Sequence, residues 1–244
     1  MFISVGHILN RIIGRFGLQL SRYPGGADRR RRALIKNSCV DTVIDVGANL
    51  GQYGKMIRSQ GFHGRIISFE PIPQVLDELR AVAASDGNWE VVPKAVTNAI
   101  GPVRFQVSEN LVSSSLLNIA NEHIEAAPSS RTVGEIEVET IRLDQILSTM
   151  KSSKVMVKID VQGAERSVLS SADDLLSSIT LLELEMSLFE LYRGQALMRE
   201  LDSCLIQKGF ELVSIQEGFF SEKSGELLQI DAIYRNCSVQ STSK

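Results

Sequence analysis

The chain has 244 residues, which is enough for one α/β domain of roughly 200 residues and an extension. Hydrophobic residues make up 43% of the chain and charged residues 23%, as in an ordinary folded soluble protein. The cysteines, Cys39, Cys204 and Cys237, are widely spaced without a C-x-x-C pair, which argues against a disulfide framework and against a zinc site. No apolar run approaches the ~20 residues that a membrane-spanning helix needs, and we expect a cytoplasmic protein.

Basic residues are concentrated at the start of the chain. Residues 1–36 hold eight Lys or Arg and one acid, a net charge of +7; because the whole chain carries −3, the remainder carries −10. An acidic body would repel phosphates, so we exclude nucleic acid as the substrate of the main domain. The basic arm suggests a partner of its own.

The first predicted elements are two helices in this basic arm. Apolar residues recur at helical spacing over 3–20, with Arg11 and Arg15 on the other face. We expect this helix to pack on the main domain or on a second copy of the chain; a helix lying on an anionic membrane is the alternative. Arg29–Arg32 begin a second helix that runs to about Asn37, with the arginines expected on a solvated face. The predicted organisation is a basic helical extension over 1–36, a main domain over 37–236 and a disordered tail over 237–244.

From Asp41 onward, predicted strands alternate with helices. Near-continuous apolar strands joined by helices indicate a parallel sheet covered on both faces. The last two strands follow each other without a helix, so they form a hairpin and one strand is antiparallel. Two segments that alternate with period two, 101–108 and 134–141, predict an antiparallel pair or edge additions, with a polar insert over 109–131 between them. The predicted sheet strands are 42–46, 65–70, 89–96, 154–160, 179–186, 210–216 and 227–235, and the helices are 50–60, 73–84 and 195–208.

The segment V-I-D-V-G-A-N-L-G follows the first predicted strand into a glycine turn. Gly47 and Gly51 bracket this turn, and glycine permits positive φ and the close approach of a ligand. Nicotinamide-binding folds carry G-x-G-x-x-G here and hold a pyrophosphate. In this chain the spacing is G-x-x-x-G, and the carboxylate of Asp45 would oppose a pyrophosphate but favour the ammonium and sulfonium of S-adenosylmethionine. Glu70 ends the next strand, where an acid can accept hydrogen bonds from both ribose hydroxyls.

A second segment, K-I-D-V-Q-G-A-E, brings Asp160 to the end of another predicted strand. Because the carboxyl ends of parallel strands meet at one edge, Asp160 and Asp45 should share the ligand-binding edge of the sheet. With V-I-D-V-G-A-N-L-G-Q-Y and F-E-P-I-P, this segment closely resembles the FkbM family of S-adenosylmethionine-dependent methyltransferases. The resemblance covers about residues 30–235.

This resemblance implies a class I methyltransferase fold, which is a Rossmann-like α/β fold with a seven-stranded, mostly parallel sheet whose last strand is antiparallel. It also implies methyl transfer to hydroxyl groups, often on sugars of glycolipids, polysaccharides and secondary metabolites. Carried onto this chain, the cofactor residues are Asp45, Gly47, Asn49 and Gly51 for the methionine part, Glu70 for the ribose, Lys94, Ala95 and Val96 near the adenine, and Asp160 beside the transferred methyl.

A sugar hydroxyl is a poor nucleophile, so a base would help the transfer. Asp160 is the first candidate for base or for hydroxyl positioning, since Gly163 leaves room beside it. His123 lies in the polar insert, which could fold over the site; a surface histidine on a polar helix is the alternative. Glu185 and Glu183 project from one side of the fifth strand and are the next candidates. No metal site is predicted, although Asp160 and Glu185 could hold a divalent ion, as in catechol-type methyltransferases.

The sequence thus predicts an S-adenosylmethionine-dependent O-methyltransferase acting on a hydroxyl, most often of a sugar in a glycolipid, lipid-linked glycan or secondary metabolite. The basic arm would suit a lipid-linked acceptor through peripheral membrane contact, and homo-oligomer formation is left open. Alternatives are an N- or C-methyltransferase on the same fold, a nucleoside-binding module without catalysis, and a nicotinamide-dependent oxidoreductase. The missing third glycine and Asp45 weigh against the oxidoreductase.

Overall fold

The computed structural model describes residues 25–150 and 153–238. The predicted amphipathic helix over 3–20 lies outside these ranges, and so does the predicted tail from residue 239 onward. In the described part of the chain, no helix combines the length and the apolar character needed to cross a membrane.

The predicted strands and helices occur in the predicted order, and shorter elements that the sequence did not predict lie between them. The strands are β1 (Thr42–Val46), β2 (Arg65–Phe69), β3 (Trp89–Val92), β4 (Ala95–Val96), β5 (Val103–Ser108), β6 (Thr132–Val138), β7 (Thr140–Ile141), β8 (Val155–Ile159), β9 (Leu181–Ser187), β10 (Phe210–Glu217) and β11 (Gln229–Asn236). The helices are α1 (Gly26–Asn37), α2 (Gln52–Ser59), α3 (Pro73–Ala84), α4 (Asn121–Ala126), α5 (Leu143–Leu147), α6 (Glu165–Ser170) and α7 (Met198–Gln207), with 3₁₀ turns at Pro128–Ser130 and Asp173–Ser178.

A seven-stranded sheet in the order β10-β11-β9-β8-β1-β2-β3 forms the centre of the molecule. Strands β3, β2, β1, β8 and β9 pair in parallel. The last strand, β11, is antiparallel to both of its neighbours, β9 and β10. The predicted α/β fold with one antiparallel strand in a mostly parallel sheet is therefore confirmed.

Helices cover both faces of this sheet, as the near-continuous apolar strands predict. On one face, Ile35 of α1, Ile57 of α2 and Leu79 of α3 pack against the sheet in one apolar cluster. On the other face, a larger cluster joins helices α5, α6 and α7 to the opposite side chains of the same strands. Each fully buried aliphatic side chain in these clusters contributes about 1.5–3 kcal/mol to folding.

The predicted third strand, 89–96, is interrupted. Residues Trp89–Val92 pair with β2, whereas Ala95–Val96 leave the main sheet and pair with Thr140–Ile141. Pro93 lies at the break, and proline cannot donate a ladder hydrogen bond, so a continuous strand is disfavoured there. The main sheet thus ends at β3, and Ala95 is directed to its carboxyl edge.

The segments with period-two alternation form the antiparallel pair β5–β6. The polar insert between them folds back over the carboxyl edge of the sheet. Ile119 forms a β-bridge with Tyr192, and the hydroxyl of Ser115 donates a 2.7 Å hydrogen bond to the backbone carbonyl of Gln162. The insert is therefore held in place over the site that the sequence predicts.

The run of four arginines is not a uniformly solvated face. Arg29, Arg30 and Arg32 are exposed, but Arg31 is only 6% exposed and points toward the sheet. Helix α1 packs on the sheet through Ile35, so one position in each turn of this helix faces inward. The expectation of a solvated arginine run is therefore wrong for Arg31. The domain boundary between 36 and 37 stays a prediction.

Candidate active site

One face of the sheet changes from apolar to charged toward its carboxyl edge. In the strand register, Asp45 of β1 lies between Ser68 of β2 and Lys158 of β8, and Lys158 lies beside Glu183 of β9. Two residues earlier on each strand, the side chains are Ile66, Val43, Met156 and Leu181. Burying charges beside such an apolar layer is costly unless the charges are paired, so this row of side chains must form a network.

Above this charged row lies a cavity of about 700 Å³, a size typical of small-molecule sites. It follows the carboxyl edge of the sheet from Glu70, after β2, to Asp231 on β11. These two strands are four strand spacings apart, roughly 19 Å. We call the end formed by Gly47, Asn49, Glu70 and Ala95 the turn end, and the end formed by Asp160, Glu183, Glu185 and Asp231 the acidic end.

At the turn end, Glu70 joins two loops. One carboxylate oxygen accepts a 2.8 Å hydrogen bond from the backbone N–H of Asn49, and the other accepts one of 2.8 Å from that of Ile72. A carboxylate offers about four lone-pair positions, so two remain for a ligand. Burial raises the pKa of Glu70 to about 7, because it disfavours the charged form. Glu70 is thus placed as an acceptor for a pair of ligand hydroxyls, and it is ionised above about pH 7.

The backbone conformation of the glycine turn is determined by close contacts with neighbouring parts of the protein. Gly47 has φ +82°, and a Cβ there would lie 1.8 Å from the backbone oxygen of Asp160. Gly51 has φ +76° and packs against Leu79 and Trp89, away from the cavity. Asn49 also has a positive φ, 46°, and lines the cavity. Of the predicted turn ligands, Gly47 and Asn49 therefore reach the cavity and Gly51 does not.

Asp45 lies beneath the glycine turn and is not part of the cavity wall. Its side chain is 0% exposed and accepts one 3.3 Å hydrogen bond, from the hydroxyl of Ser68. The other oxygen, Oδ1, has no partner among the described residues. Burial raises the pKa of Asp45 to about 6, although Lys158 opposes this rise. Asp45 can act on a ligand through its field, but it does not contact the cavity directly.

Asp160 and Glu185 form a linked carboxyl pair at the acidic end. Lys158 Nζ lies 2.9 Å from Asp160 Oδ2, and the amide nitrogen of Gln162 donates to Asp160 Oδ1 at 2.8 Å and to Glu185 Oε2 at 2.7 Å. Burial alone would raise the pKa of Asp160, but the Lys158 ammonium outweighs it and the pKa is lowered. Burial and the charge of Asp160 raise the pKa of Glu185 well above its usual value. The pair therefore combines an ionised carboxylate with a carboxyl group that holds its proton.

Gln162, which the sequence reasoning missed, holds this pair in place. Its backbone is left-handed at φ +56°, and its side-chain carbonyl accepts a 2.7 Å hydrogen bond from the hydroxyl of Tyr192. The next residue, Gly163, has φ +96°, and a Cβ there would lie 2.8 Å from Tyr192. Gly163 was predicted to leave room beside Asp160. In the structure, the room that it leaves is filled by the side chain of Tyr192. The Gln-Gly dipeptide shortly after the strand was the available signal.

Arg31 and Tyr53 were also missed, and both hold Glu183. Two guanidinium nitrogens of Arg31 donate to Glu183 at 2.6–3.0 Å, and the Tyr53 hydroxyl donates to Glu183 at 2.7 Å. A further nitrogen of Arg31 pairs with Asp28 at 3.0 Å. The buried carboxylate of Glu183 thus has the partners that a buried charge needs. Helix α1 therefore contributes Arg31 to the cavity wall.

His123 is buried and lines the cavity, so the alternative of a surface histidine is wrong. It is 4% exposed. The centroid of its ring lies 5.2 Å from that of Tyr192 in an edge-on arrangement and 5.6 Å from that of Phe219 in a tilted one. Burial lowers its pKa to about 4, so the imidazole is neutral near pH 7. Its Nδ1 has no partner among the described residues.

With this geometry in view, the family can be assigned. The model of the FkbM methyltransferase domain matches residues 45–212, which is more than half of the chain. The chain belongs to the FkbM methyltransferase family.

Proteins of known name resemble this chain at low identity. The chain is 27% identical over 180 residues to a 2-O-methyltransferase, NoeI, of Sinorhizobium fredii, covering 70% of this chain and 73% of that protein. It is 26% identical over 159 residues to a hexuronic acid methyltransferase, AglP, of Haloferax volcanii, covering 64% of this chain and 60% of that protein. A solved FkbM methyltransferase from Methylobacillus flagellatus KT has a TM-score of 0.51 at 12% identity, covering 80% of this chain and 43% of that protein, and shows the shared fold.

Within this FkbM chain, Arg31 lies before the matched residues, so an element outside the family domain contributes to the cavity. The part of the chain that the structure describes holds no cluster of three or more acidic, His or Cys side chains suited to a metal ion. The carboxylates of Asp160 and Glu185, our candidate metal ligands, are instead bridged by the amide of Gln162.

Proposed function

We propose that this FkbM protein transfers a methyl group from S-adenosylmethionine to a hydroxyl group of a sugar. The observation that carries the proposal is one continuous cavity with Glu70 at its turn end and the Asp160–Glu185 carboxyl pair at its acidic end. The first group can hold a ribose, and the second can hold and deprotonate an acceptor hydroxyl. The family and the methyltransferase names of both relatives support methyl transfer.

The turn end fits S-adenosylmethionine. Glu70 has lone pairs free for the two ribose hydroxyls, and Ala95 and Ile72 provide an apolar wall beside it for the adenine. Asn49 and Gly47 face the methionine part. The excess of carboxylates favours a cationic ligand without phosphates, which also argues against a dinucleotide. When bound, S-adenosylmethionine supplies a methyl group already activated by its sulfonium.

The protein's own contribution is to align the acceptor oxygen and to take its proton. We assign alignment to Asp160, because Lys158 and Gln162 fix both of its oxygens. Its low pKa makes it a weak base but keeps it charged. Glu185 is the stronger base whenever it is ionised, and a bound cation nearby would lower its raised pKa toward neutrality. His123 stays a candidate base, although its unpartnered Nδ1 is buried and its pKa is low.

Sugars are proposed as the acceptor class because of the names of the relatives, a 2-O-methyltransferase and a hexuronic acid methyltransferase. N- or C-methyl transfer on the same fold is the competing chemistry. A lipid-linked acceptor, a cytoplasmic location and peripheral membrane contact through residues 1–22 belong to the proposal as well. If the arm binds membranes, the protein should sediment with anionic vesicles, less so at high salt, and a chain starting at Tyr23 should not.

The experiment is a ligand-stabilisation panel followed by transfer assays. A ligand at 100 times its Kd stabilises the folded state by about 2.7 kcal/mol, which is roughly 5–10 °C for a chain of this size. S-adenosylmethionine and its demethylated product should give this shift, and nicotinamide dinucleotides should give none. Methyl transfer to glycans and glycolipids is then detected by mass spectrometry as the added mass of the methyl group. Stabilisation by the dinucleotides instead would overturn the proposal.

A further inference from the structure

Among the described residues, the acidic end of the cavity has no cation available for an anionic acceptor. The Arg31 guanidinium is fully engaged by Glu183 and Asp28. Lys158 is bound to Asp160 and is itself buried. In the described part of the chain, these two are the basic side chains that line this end. A carboxylate or phosphate entering here would have to break an existing ion pair.

The acidic end also repels anions directly. Glu185 and Asp231 are register partners on β9 and β11, and both line the cavity. Neither forms an ion pair with a described basic side chain. Glu185 is instead held by amide nitrogens, from Gln162 and from Gln229, each at 2.7 Å. An acceptor carboxylate beside Asp231 would therefore meet like charge in a partly desolvated site.

The same end is suited to hydroxyl groups. Carboxylate oxygens accept hydrogen bonds from hydroxyls, and Asp231 has no partner among the hydrogen bonds of the described residues. The buried His123 also lines the cavity, and its Nδ1, which is itself enclosed, has no partner among the described residues. Beside it, the ring of Phe219 supplies an apolar surface for the C–H face of a sugar.

From this arrangement we propose that the acceptor sugar is uncharged, and that the cavity rejects hexuronic acids and phosphorylated sugars through Asp231. The inference rests on the proposed function and narrows the class of acceptor sugars to neutral ones. It separates this chain from one of its two named relatives, the hexuronic acid methyltransferase.

The test labels the acceptor whatever its identity. The purified full-length chain is incubated with S-adenosylmethionine carrying a radioactive methyl group and with the glycan and glycolipid fraction of the source cells. The products are hydrolysed to monosaccharides and separated by anion exchange. The label should appear in a neutral methylated sugar. Label in a uronic acid or a sugar phosphate would overturn the inference and leave sugar O-methylation standing. Label in no sugar at all would overturn the proposed function and this inference with it.

A series of variants tests whether Asp231 causes the preference for neutral over anionic acceptors. Matched pairs of acceptors, such as a methyl pyranoside and the corresponding methyl uronate, are compared by kcat/KM. The neutral member should be favoured by at least about tenfold in the unmodified chain. Asp231→Asn should reduce this preference several-fold, whereas Glu137→Gln, the same change in net charge on the exposed face of β6, should not. An unchanged preference in Asp231→Asn would contradict selection by this carboxylate.

Discussion

The backbone N–H of Asn49 donates a 2.8 Å hydrogen bond to the carboxylate of Glu70, so the acid after strand β2 holds the glycine turn after strand β1. The two residues are 21 positions apart in the chain. Their contact means that Glu70 has two tasks, since the oxygens that orient the turn are also those offered to a ligand. Variants of Glu70 must therefore be judged for folding and for binding separately.

Glu70→Ala should reduce the affinity for S-adenosylmethionine at least tenfold. Each hydrogen bond to a charged group is worth roughly 1.5–3 kcal/mol, and both ribose hydroxyls lose their acceptor. Calorimetric titration measures the affinity, and circular dichroism checks the fold. Glu70→Gln should retain more stability but still bind weakly. The matched control is Glu78→Gln on the exposed face of α3, which should change neither the affinity for S-adenosylmethionine nor the stability of the fold. Unaltered affinity in folded Glu70→Ala would remove Glu70 from the ribose site.

The affinity for S-adenosylmethionine should fall in mildly acidic solution. Burial raises the pKa of Glu70 to about 7, so below this pH the empty site holds the protonated form. Ligand binding needs the ionised form, and the affinity should therefore fall up to roughly tenfold per pH unit below pH 7. Calorimetry between pH 5.5 and 8.5 measures this. In Glu70→Gln the pH dependence should be much weaker, and an equally steep dependence there would point to another group.

The sequence predicted well the strands and helices that surround this site, because their limits are marked by particular residues. Strand β1 and helix α3 occupy the predicted residues, because Asp41, Gly47 and Pro73 mark their limits. The hairpin of β10 and β11 followed from two apolar runs with no helix between them. The interruption of the third strand was missed although Pro93 signalled it.

The partners inside the cavity could not be predicted in the same way. Four consecutive arginines do not indicate which of them faces the sheet, and Arg31 pairs with Glu183, 152 positions later. Lys158 occupies the interior of a strand, and only the tertiary fold sets Asp45 and Glu183 on either side of it. Such pairings depend on strand order, which the local pattern does not contain.

Asp45→Asn should stabilise the protein at neutral pH and not in acid. Burial raises the pKa of Asp45 to about 6, above its unfolded value near 4, so the folded state binds the proton more tightly. Stability is therefore lost as the pH rises from about 4 to 6, by roughly 3 kcal/mol at most. The asparagine variant lacks this penalty, and its Tm should exceed that of the unmodified chain by a few degrees at pH 7.5 and be nearly equal at pH 4.5. An equal loss of stability at both pH values would contradict this account.

Asp160→Asn should lower kcat by about 10²–10⁴, the usual range for general base catalysis and for loss of a positioned carboxylate. The change keeps the shape but removes the charge that Lys158 stabilises. His123→Ala and Glu185→Gln are the competing variants, assayed with the same acceptor. If His123→Ala abolishes transfer while Asp160→Asn stays within a few-fold, the base lies in the insert. EDTA should leave the rate unchanged; loss of activity with EDTA and its recovery with Mg²⁺ would make Asp160 a metal ligand.

Gln162 should act as a positioning residue, and its removal should separate catalysis from cofactor binding. Its amide links Asp160 to Glu185, and Tyr192 orients that amide from the other side. In Gln162→Ala the two carboxyl groups lose their bridge, so kcat should fall roughly tenfold or more, because a small misplacement of catalytic groups is costly. The affinity for S-adenosylmethionine should stay within a few-fold, since Gln162 lies away from the turn end.

A purely structural role for Gln162 would lower the Tm without moving the pH–rate profile. We expect the profile to move, because the amide helps to hold Asp160 ionised beside the protonated Glu185. Gln162→Glu sharpens the test: it keeps the size but adds a third carboxyl group, which raises the pKa values of both neighbours and shifts the rising limb of the profile to higher pH. Tyr192→Phe, which removes only the hydroxyl that orients Gln162, should reproduce part of the loss in kcat. A profile that stays fixed in all three variants would leave Gln162 with a packing role alone.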